Sequence, residues 1–252
     1  VTETQGAKPL IVLTGLSKAY GFRPVLRGID LEIRRGECVA LLGANGSGKS
    51  TLLRLLCGLT KPSSGTIHVG GWQIPREIDA VRAQIGLVSH KPLVYDTLTA
   101  RENLNFFARL YHLPAAERAD RVDGLLRRVG LHRRADDLVR SFSRGMLQRL
   151  SIARALLHQP DVLLFDEPYT GLDQEAAAAL DALIAEAHAD SRTMVLTTHE
   201  LGRAAALATR AVILSRGRIG ADLPLDGVSG AALIAEYTHV TGSAPAPDPE
   251  GI

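Results

Sequence analysis

Cys38-Val39-Ala40-Leu41-Leu42-Gly43-Ala44-Asn45-Gly46-Ser47-Gly48-Lys49-Ser50-Thr51 is the stretch that decides how this chain folds. Its first five residues are continuously apolar, the pattern of a strand buried on both faces. Glycine and small residues follow, and then Leu52, Leu53, Leu55 and Leu56 recur at helical spacing. Strand, glycine loop and helix in that order make a phosphate cradle, in which backbone N–H groups and the positive end of the helix dipole face an anion. From Gly43 to Ser50 the residues satisfy the G-x-x-x-x-G-K-S pattern. The backbone of Gly43, Ala44, Asn45, Gly46, Ser47 and Gly48 is expected to wrap the phosphates of ATP. Lys49 should reach the β and γ phosphates, Ser50 should ligate Mg²⁺, and Thr51 should donate to the α phosphate.

Working outward, residues 10–16 and 29–33 alternate apolar with polar, which predicts strands with one wet face. Arg34-Arg35-Gly36-Glu37 reads as a hairpin turn, and further strands are expected at 66–69 and 85–88. From residue 92 the texture changes to helix. Thr99-Ala100-Arg101-Glu102 is a capping box opening a helix to about Tyr111, Pro114 opens another to about Val129, and a third spans about 144–157. Buried strands at 162–165 and 194–197, an Ala-rich helix at 174–188, a helix from Glu200 and a strand at 212–214 complete an α/β alternation. The expected organisation is one α/β domain over residues 1–240. Its core and antiparallel β lobe cover about 10–91 and 156–225, an inserted helical lobe covers about 92–155, and a disordered tail takes 241–252. No internal repeat is found.

Val162-Leu163-Leu164-Phe165-Asp166-Glu167 ends a buried strand in two carboxylates, at the sheet edge from which the glycine loop also emerges. Asp166 is the better Mg²⁺ partner, and Glu167 is placed to polarise or deprotonate the attacking water.

With these motifs on the chain, it resembles the nucleotide-binding subunit of ATP-binding-cassette (ABC) transporters over roughly residues 10–225. The likeness extends to Phe142-Ser143-Arg144-Gly145-Met146, similar to the family's signature sequence, and to Tyr169-Thr170-Gly171-Leu172-Asp173, similar to its dimer-facing loop. Thr198-His199 looks like the switch histidine, and Tyr20 falls where the family stacks an aromatic on adenine. The resemblance implies a P-loop NTPase with a RecA-like core, hydrolysing Mg²⁺-ATP with Glu167 and His199 as catalytic residues. It implies two ATP molecules sandwiched in a homodimer or pseudo-dimer, in which Ser143 and Gly145 contact the partner subunit's ATP. Arg144, Met146 and Phe142 depart from the usual Gly, Gln and Leu of the signature.

His90 stands where most of the family carries a glutamine that meets Mg²⁺; a neutral imidazole can also accept from a metal-bound water. Ser89-His90-Lys91-Pro92 with Leu98-Thr99-Ala100-Arg101-Glu102-Asn103-Leu104 is similar to the haem-exporter ATPase of cytochrome c maturation. Drug, lipid or polysaccharide exporters and soluble cassettes such as the ATPase of iron–sulfur assembly are the alternatives. A translation factor of the superfamily would need a second cassette, and a DNA-repair member a long coiled coil between Lys49 and Ser143; the sequence has neither.

Composition sets the remaining bounds. Of 252 residues 46% are apolar and only 4% aromatic, so the core must be built from Ala, Leu, Val and Ile, and the chain is neither disordered nor fibrous. Lys and Arg number 29 against 27 Asp and Glu, a balance of +2 without single-sign runs, so no nucleic-acid partner is expected. Cys38 and Cys57 lie in apolar stretches and read as small hydrophobes. No apolar run approaches the roughly 18 residues of a membrane span, and residues 1–6 have no leader character. The expected place is therefore the cytoplasmic face of the membrane, peripherally, on separate transmembrane permease subunits. Trp72 is expected beneath the small antiparallel sheet, and Arg127, Arg128, Arg133 and Arg134 at a solvated helix end.

Overall fold

The computed structural model describes residues 8–89 and 91–243. Two twelve-residue strands, β1 (Pro9–Tyr20) and β2 (Arg23–Arg34), open the chain as an antiparallel pair in which Val12 faces Glu32 and Leu13 faces Leu31. With β4 (Ser64–Val69) and β5 (Trp72–Ile74) they form one sheet in the order β2-β1-β4-β5. The second sheet holds β3 (Cys38–Leu42), β6 (Ile85–Ser89), β7 (Val162–Asp166), β8 (Thr193–Thr197), β9 (Arg210–Ser215) and β10 (Arg218–Pro224), in the order β10-β9-β3-β8-β7-β6. All its pairings are parallel except β9 with β10.

Residues 34–37 do turn, with Glu37 N donating to Arg34 O at 3.3 Å, but they do not make a hairpin. β2 pairs with β1, while β3 pairs with β8 and β9 in the other sheet. The turn steps between sheets because β3 is apolar on both faces and finds cover only at the centre of the parallel sheet.

The double-sided burial has a direct cause in alternation. Cys38, Ala40 and Leu42 of β3 enter one hydrophobic core with Leu163, Phe165, Met194 and Leu196, on the side of the helices. Val39 and Leu41 enter the other with Val162, Leu164 and Val195, on the side of the antiparallel sheet and α1 (Lys49–Leu56). Cys38 and Cys57 are both buried, and burial pushes each thiol up to about 12, so neither is reactive at neutral pH.

After α2 (Ile78–Gln84) and β6 come the three helices the sequence predicted: α3 (Ala100–Leu110), α4 (Ala115–Arg128) and α5 (Arg144–Leu156). The capping box at Thr99 forms in full, with Thr99 Oγ1 accepting from Glu102 N and Glu102 Oε2 accepting from Thr99 N. Arg101 bonds Asp123 and Asp136, tying α3 to α4 and to the segment just past the short 3-10 turn that follows α4. Arg128 is not simply solvated: it bridges to Glu186 and Asp190 at the end of α6 (Gln174–Ala189).

The chain closes with α7 (Leu201–Leu207) and α8 (Gly230–Thr241). β5, α2, β10 and α8 were not anticipated. Trp72 corrects a second expectation, because it is 44% exposed on the edge strand β5. Of the tail expected at 241–252, Thr241 belongs to α8, and residues 244–252 lie outside the described residues.

Candidate nucleotide site

The glycine loop leaves the carboxyl end of β3 under tight steric constraint. Gly43 has φ +146°, and a Cβ there would come within 2.4 Å of Leu214 O in β9. Gly48 has φ +112° at the N-cap of α1, where a Cβ would meet Leu26 Cδ2 at 2.6 Å. Only glycine satisfies both the left-handed backbone and the close approach. Lys49, the first residue of α1, is buried and folds back over the loop, donating from Nζ to Gly43 O at 2.7 Å and Ala44 O at 3.4 Å. Its ammonium lies 4.0 Å from Glu167 Oε1. Burial lowers the Lys49 pKa, and the charges of Glu167 and Asp166 oppose that shift. Ser47 Oγ is buried with no hydrogen-bond partner among the described residues, a polar atom that a phosphate oxygen would satisfy.

Asp166 is the last residue of β7, and its Oδ1 accepts from Ser50 Oγ at 3.0 Å and Thr197 Oγ1 at 3.1 Å. Glu167 turns out of the strand with φ +51°, and its amide donates to Thr197 Oγ1 at 2.9 Å. Its Oε1 stands 3.0 Å from His199 Nε2. Were the ring protonated this would be an ion pair, but the shifts run the other way on both partners. Burial lowers His199, helped by Lys49, and burial raises Glu167, helped by Asp166 and Glu200 and opposed by Lys49. Burial thus favours the uncharged ring, and the contact is a close polar approach between imidazole and carboxylate.

Among the described residues no cluster of three or more His, Cys, Asp or Glu could enclose a metal. Ser50 and Asp166 side by side instead fit Mg²⁺, which binds through one carboxylate, a hydroxyl and the phosphates of its nucleotide rather than in a protein cage.

Lys49, Ser50, Glu167 and His199 line one cleft of about 810 Å³ together with Asn45, Thr51 and Tyr20. Tyr20 is half exposed, and the Lys18 ammonium lies 4.8 Å from its ring centroid. Arg23, Arg27 and Arg216 also line the cleft. Arg216 arrives from the β9–β10 turn, which Arg27 N clasps through Gly217 O at 2.8 Å. No signal in the sequence marks a turn 160-odd residues downstream of the glycine loop as part of this wall.

Ser143 and Gly145 are not brought here. Ser143 caps α5, its Oγ accepting from Met146 N at 3.3 Å, and Gly145 packs so closely on Ala176 that a Cβ would lie 2.7 Å from the alanine methyl. His90 lies outside the described residues.

A parallel sheet whose central strand ends in a glycine loop, with Lys49, a Ser50–Asp166 contact and a Glu167–His199 contact around one cleft, defines a P-loop nucleoside triphosphatase. Residues 26–170 match the family described as ABC transporter, and the chain belongs to that family as its ATP-hydrolysing cassette. It is similar to the Nod factor export ATP-binding protein I of Ralstonia nicotianae, 39% identical over 84% of this chain and 66% of the relative. It is likewise similar to the linearmycin resistance ATP-binding protein LnrL of Bacillus subtilis (34% identical, 87% of this chain and 76% of the relative). The daunorubicin resistance ATP-binding protein DrrA3 of Streptomyces coeruleorubidus is 39% identical over 86% of this chain and 68% of the relative. The chain thus spans about two thirds to three quarters of the length of these three relatives.

Among solved structures, cbiO1 of Clostridium perfringens, part of the ABC transporter complex cbiONQ, superposes with a TM-score of 0.81 at 29% identity, covering 92% of this chain and 95% of that one. A dimeric ATP-binding cassette in a post-hydrolysis state, bound to ADP and Pi, has a TM-score of 0.77 at 28% identity, covering 85% of this chain and 98% of that one.

Proposed function

We propose that this cassette powers export through separate membrane subunits, hydrolysing Mg²⁺-ATP at a site completed by a second cassette. The observation that carries the chemistry is the Glu167–His199 contact at 3.0 Å, set beside Lys49 in the same cleft.

The glycine-loop amides, the N-terminus of α1 and Lys49 hold the phosphates, and Tyr20 stacks on adenine. Ser50 and Asp166 hold Mg²⁺, which when bound offsets charge on the phosphate oxygens. Glu167 accepts the proton of the water that attacks in line; its raised pKa brings it closer to the operating pH for that transfer. His199, kept neutral by burial, orients that carboxylate and the γ phosphate.

Ser143 and Gly145, placed away from the cleft, present a helix N-terminus to the partner cassette's nucleotide. His90 acts as the metal-side sensor that the glutamine provides elsewhere in the family. Among the described residues no helix is long and apolar enough to cross a membrane. In this reading the cassette works at the cytoplasmic face, docked on permease subunits.

As to cargo, the relatives are named for Nod factor export and for linearmycin and daunorubicin resistance. Those names support an exporter of drug-like or signalling molecules over a haem exporter, a reading that rests on His90 and its flanking residues. Reconstitution with candidate permeases tests this. Transport of a drug-like compound that Lys49→Ala abolishes supports the reading, and ATP-dependent haem transport instead overturns the cargo assignment.

A further inference from the structure

Glu167 and His199 sit beyond the ends of neighbouring strands, β7 and β8, on segments that the sheet does not hold. Glu167 also adopts φ +51°, a left-handed backbone that costs a non-glycine residue about 1 kcal/mol or more unless its surroundings enforce it. One enforcement is the Thr197 hydroxyl on its amide. A second comes from α7.

There the Arg203 guanidinium bonds Glu200 on its own segment and Asp181 on α6, and lies 5.0 Å over the ring of Tyr169. The Tyr169 hydroxyl donates to the same Asp181 at 2.7 Å, and the ring is 5% exposed. Tyr169 is two residues past Glu167, and Glu200 directly follows His199. These contacts therefore close a ring: Glu167, Tyr169, Arg203, Glu200, His199 and back to Glu167.

We propose that Arg203 is a positioning residue for hydrolysis, holding Glu167 and His199 in register by clamping the segment behind each of them, with Tyr169 as its platform. The proposal rests on reading that pair as the hydrolytic centre. Arg203 does not line the cleft; it acts through Tyr169 and Glu200. The planar fork is what the geometry uses, since it serves two carboxylates and an aromatic face at once, and a lysine ammonium has no such fork.

The test uses the full chain with Arg203→Leu and, as the milder variant, Arg203→Lys. We expect kcat to fall at least about tenfold for Arg203→Leu, and less for Arg203→Lys, as displacement of catalytic groups by a fraction of an ångström does. KM and the Kd for a fluorescent ATP analogue should stay within about twofold, because nothing on the phosphate cradle moves. In the nucleotide-free protein, the His199 ring signals in long-range ¹H–¹⁵N spectra, assigned with His199→Ala, should shift in both variants. An unchanged kcat, or a fall in kcat matched by weaker nucleotide binding with the His199 signals in place, overturns the proposal and leaves Arg203 as a tie between α6 and α7. Native-rate hydrolysis by Glu167→Gln would instead overturn the underlying reading of the pair, whatever Arg203 does.

Discussion

The side chain of Thr197 holds Glu167 by its backbone: Oγ1 accepts from the Glu167 amide at 2.9 Å while lying 3.1 Å from Asp166 Oδ1. One fully buried hydroxyl thus fixes the start of the loop that carries Glu167 and orients the carboxylate proposed for Mg²⁺. Thr197→Val keeps the shape and removes the hydroxyl, stranding a buried N–H at about 1–3 kcal/mol. Urea unfolding should register that loss, and steady-state kinetics should show kcat reduced about tenfold or more. Native stability together with native kcat would show that the hydroxyl is dispensable.

Lys49→Ala should abolish ATP binding, because the buried ammonium is the only lysine lining the cleft among the described residues. Glu167→Gln should bind ATP but stop turning it over, and so accumulate an ATP-bound dimer. Size-exclusion chromatography with Mg²⁺-ATP checks both. A Glu167→Gln protein that stays monomeric or hydrolyses at the native rate contradicts the assignment of the base.

Ser143 lies on the cap of α5 and does not line the cleft, so the contact with nucleotide proposed for it is expected in trans. Mixing Ser143→Arg with Lys49→Ala subunits leaves one intact composite site per mixed dimer. Activity should return that neither variant shows alone. Well-formed mixed dimers with no hydrolysis would mean that both half-sites must act together, or that Ser143 only caps its helix.

His158 supplies a pH dependence independent of the site. It stacks on Tyr111 at 4.0 Å between centroids, its Nε2 meets Ile85 O at 3.1 Å, and burial above all lowers its pKa to about 4. The unfolded chain binds a proton near pH 6.5 and the native ring does not, so this group removes stability as pH falls below 6.5 and the loss levels off near pH 4. Between pH 7 and pH 5 it accounts for about 2 kcal/mol. His158→Phe keeps the stacking and should flatten the urea-unfolding profile over that interval by that amount. A parallel profile would refute the shift.

His90→Ala should keep ATP binding near normal yet lose stimulation of hydrolysis by the membrane subunits, and His90→Gln should restore much of it by supplying an acceptor at similar reach. Partner-stimulated rates of all three proteins settle the matter. Equal rates for His90→Ala and the native chain make the histidine a bystander.

The parts of the fold legible in the sequence are those written in contiguous residues. Cys38–Leu42 is apolar at every position and Thr99–Glu102 carries its own cap partners, so β3 and the start of α3 followed from spacing alone. Residues 34–37 were misread because a turn between two strands looks the same whether or not the strands pair. Their pairing was decided by which sheet could cover both faces of β3. Trp72 was expected in the interior on its size, but β5 is three residues long and at the sheet edge, with little to cover an indole.

The sequence by itself determined which polar groups gather at one sheet edge: Lys49, Ser50, Asp166, Glu167 and His199 lie at or just beyond the ends of strands whose burial is locally encoded. The tertiary structure decided what holds those groups and what walls them in. Thr197 meets Glu167 across 30 residues, Arg203 meets Asp181 across 22, and Arg216 reaches the cleft from a turn closed on β2. A strand's burial pattern or a helix cap is written in a few adjacent residues. A contact between distant side chains depends on sheet order, register and helix packing, which every residue of the chain sets together.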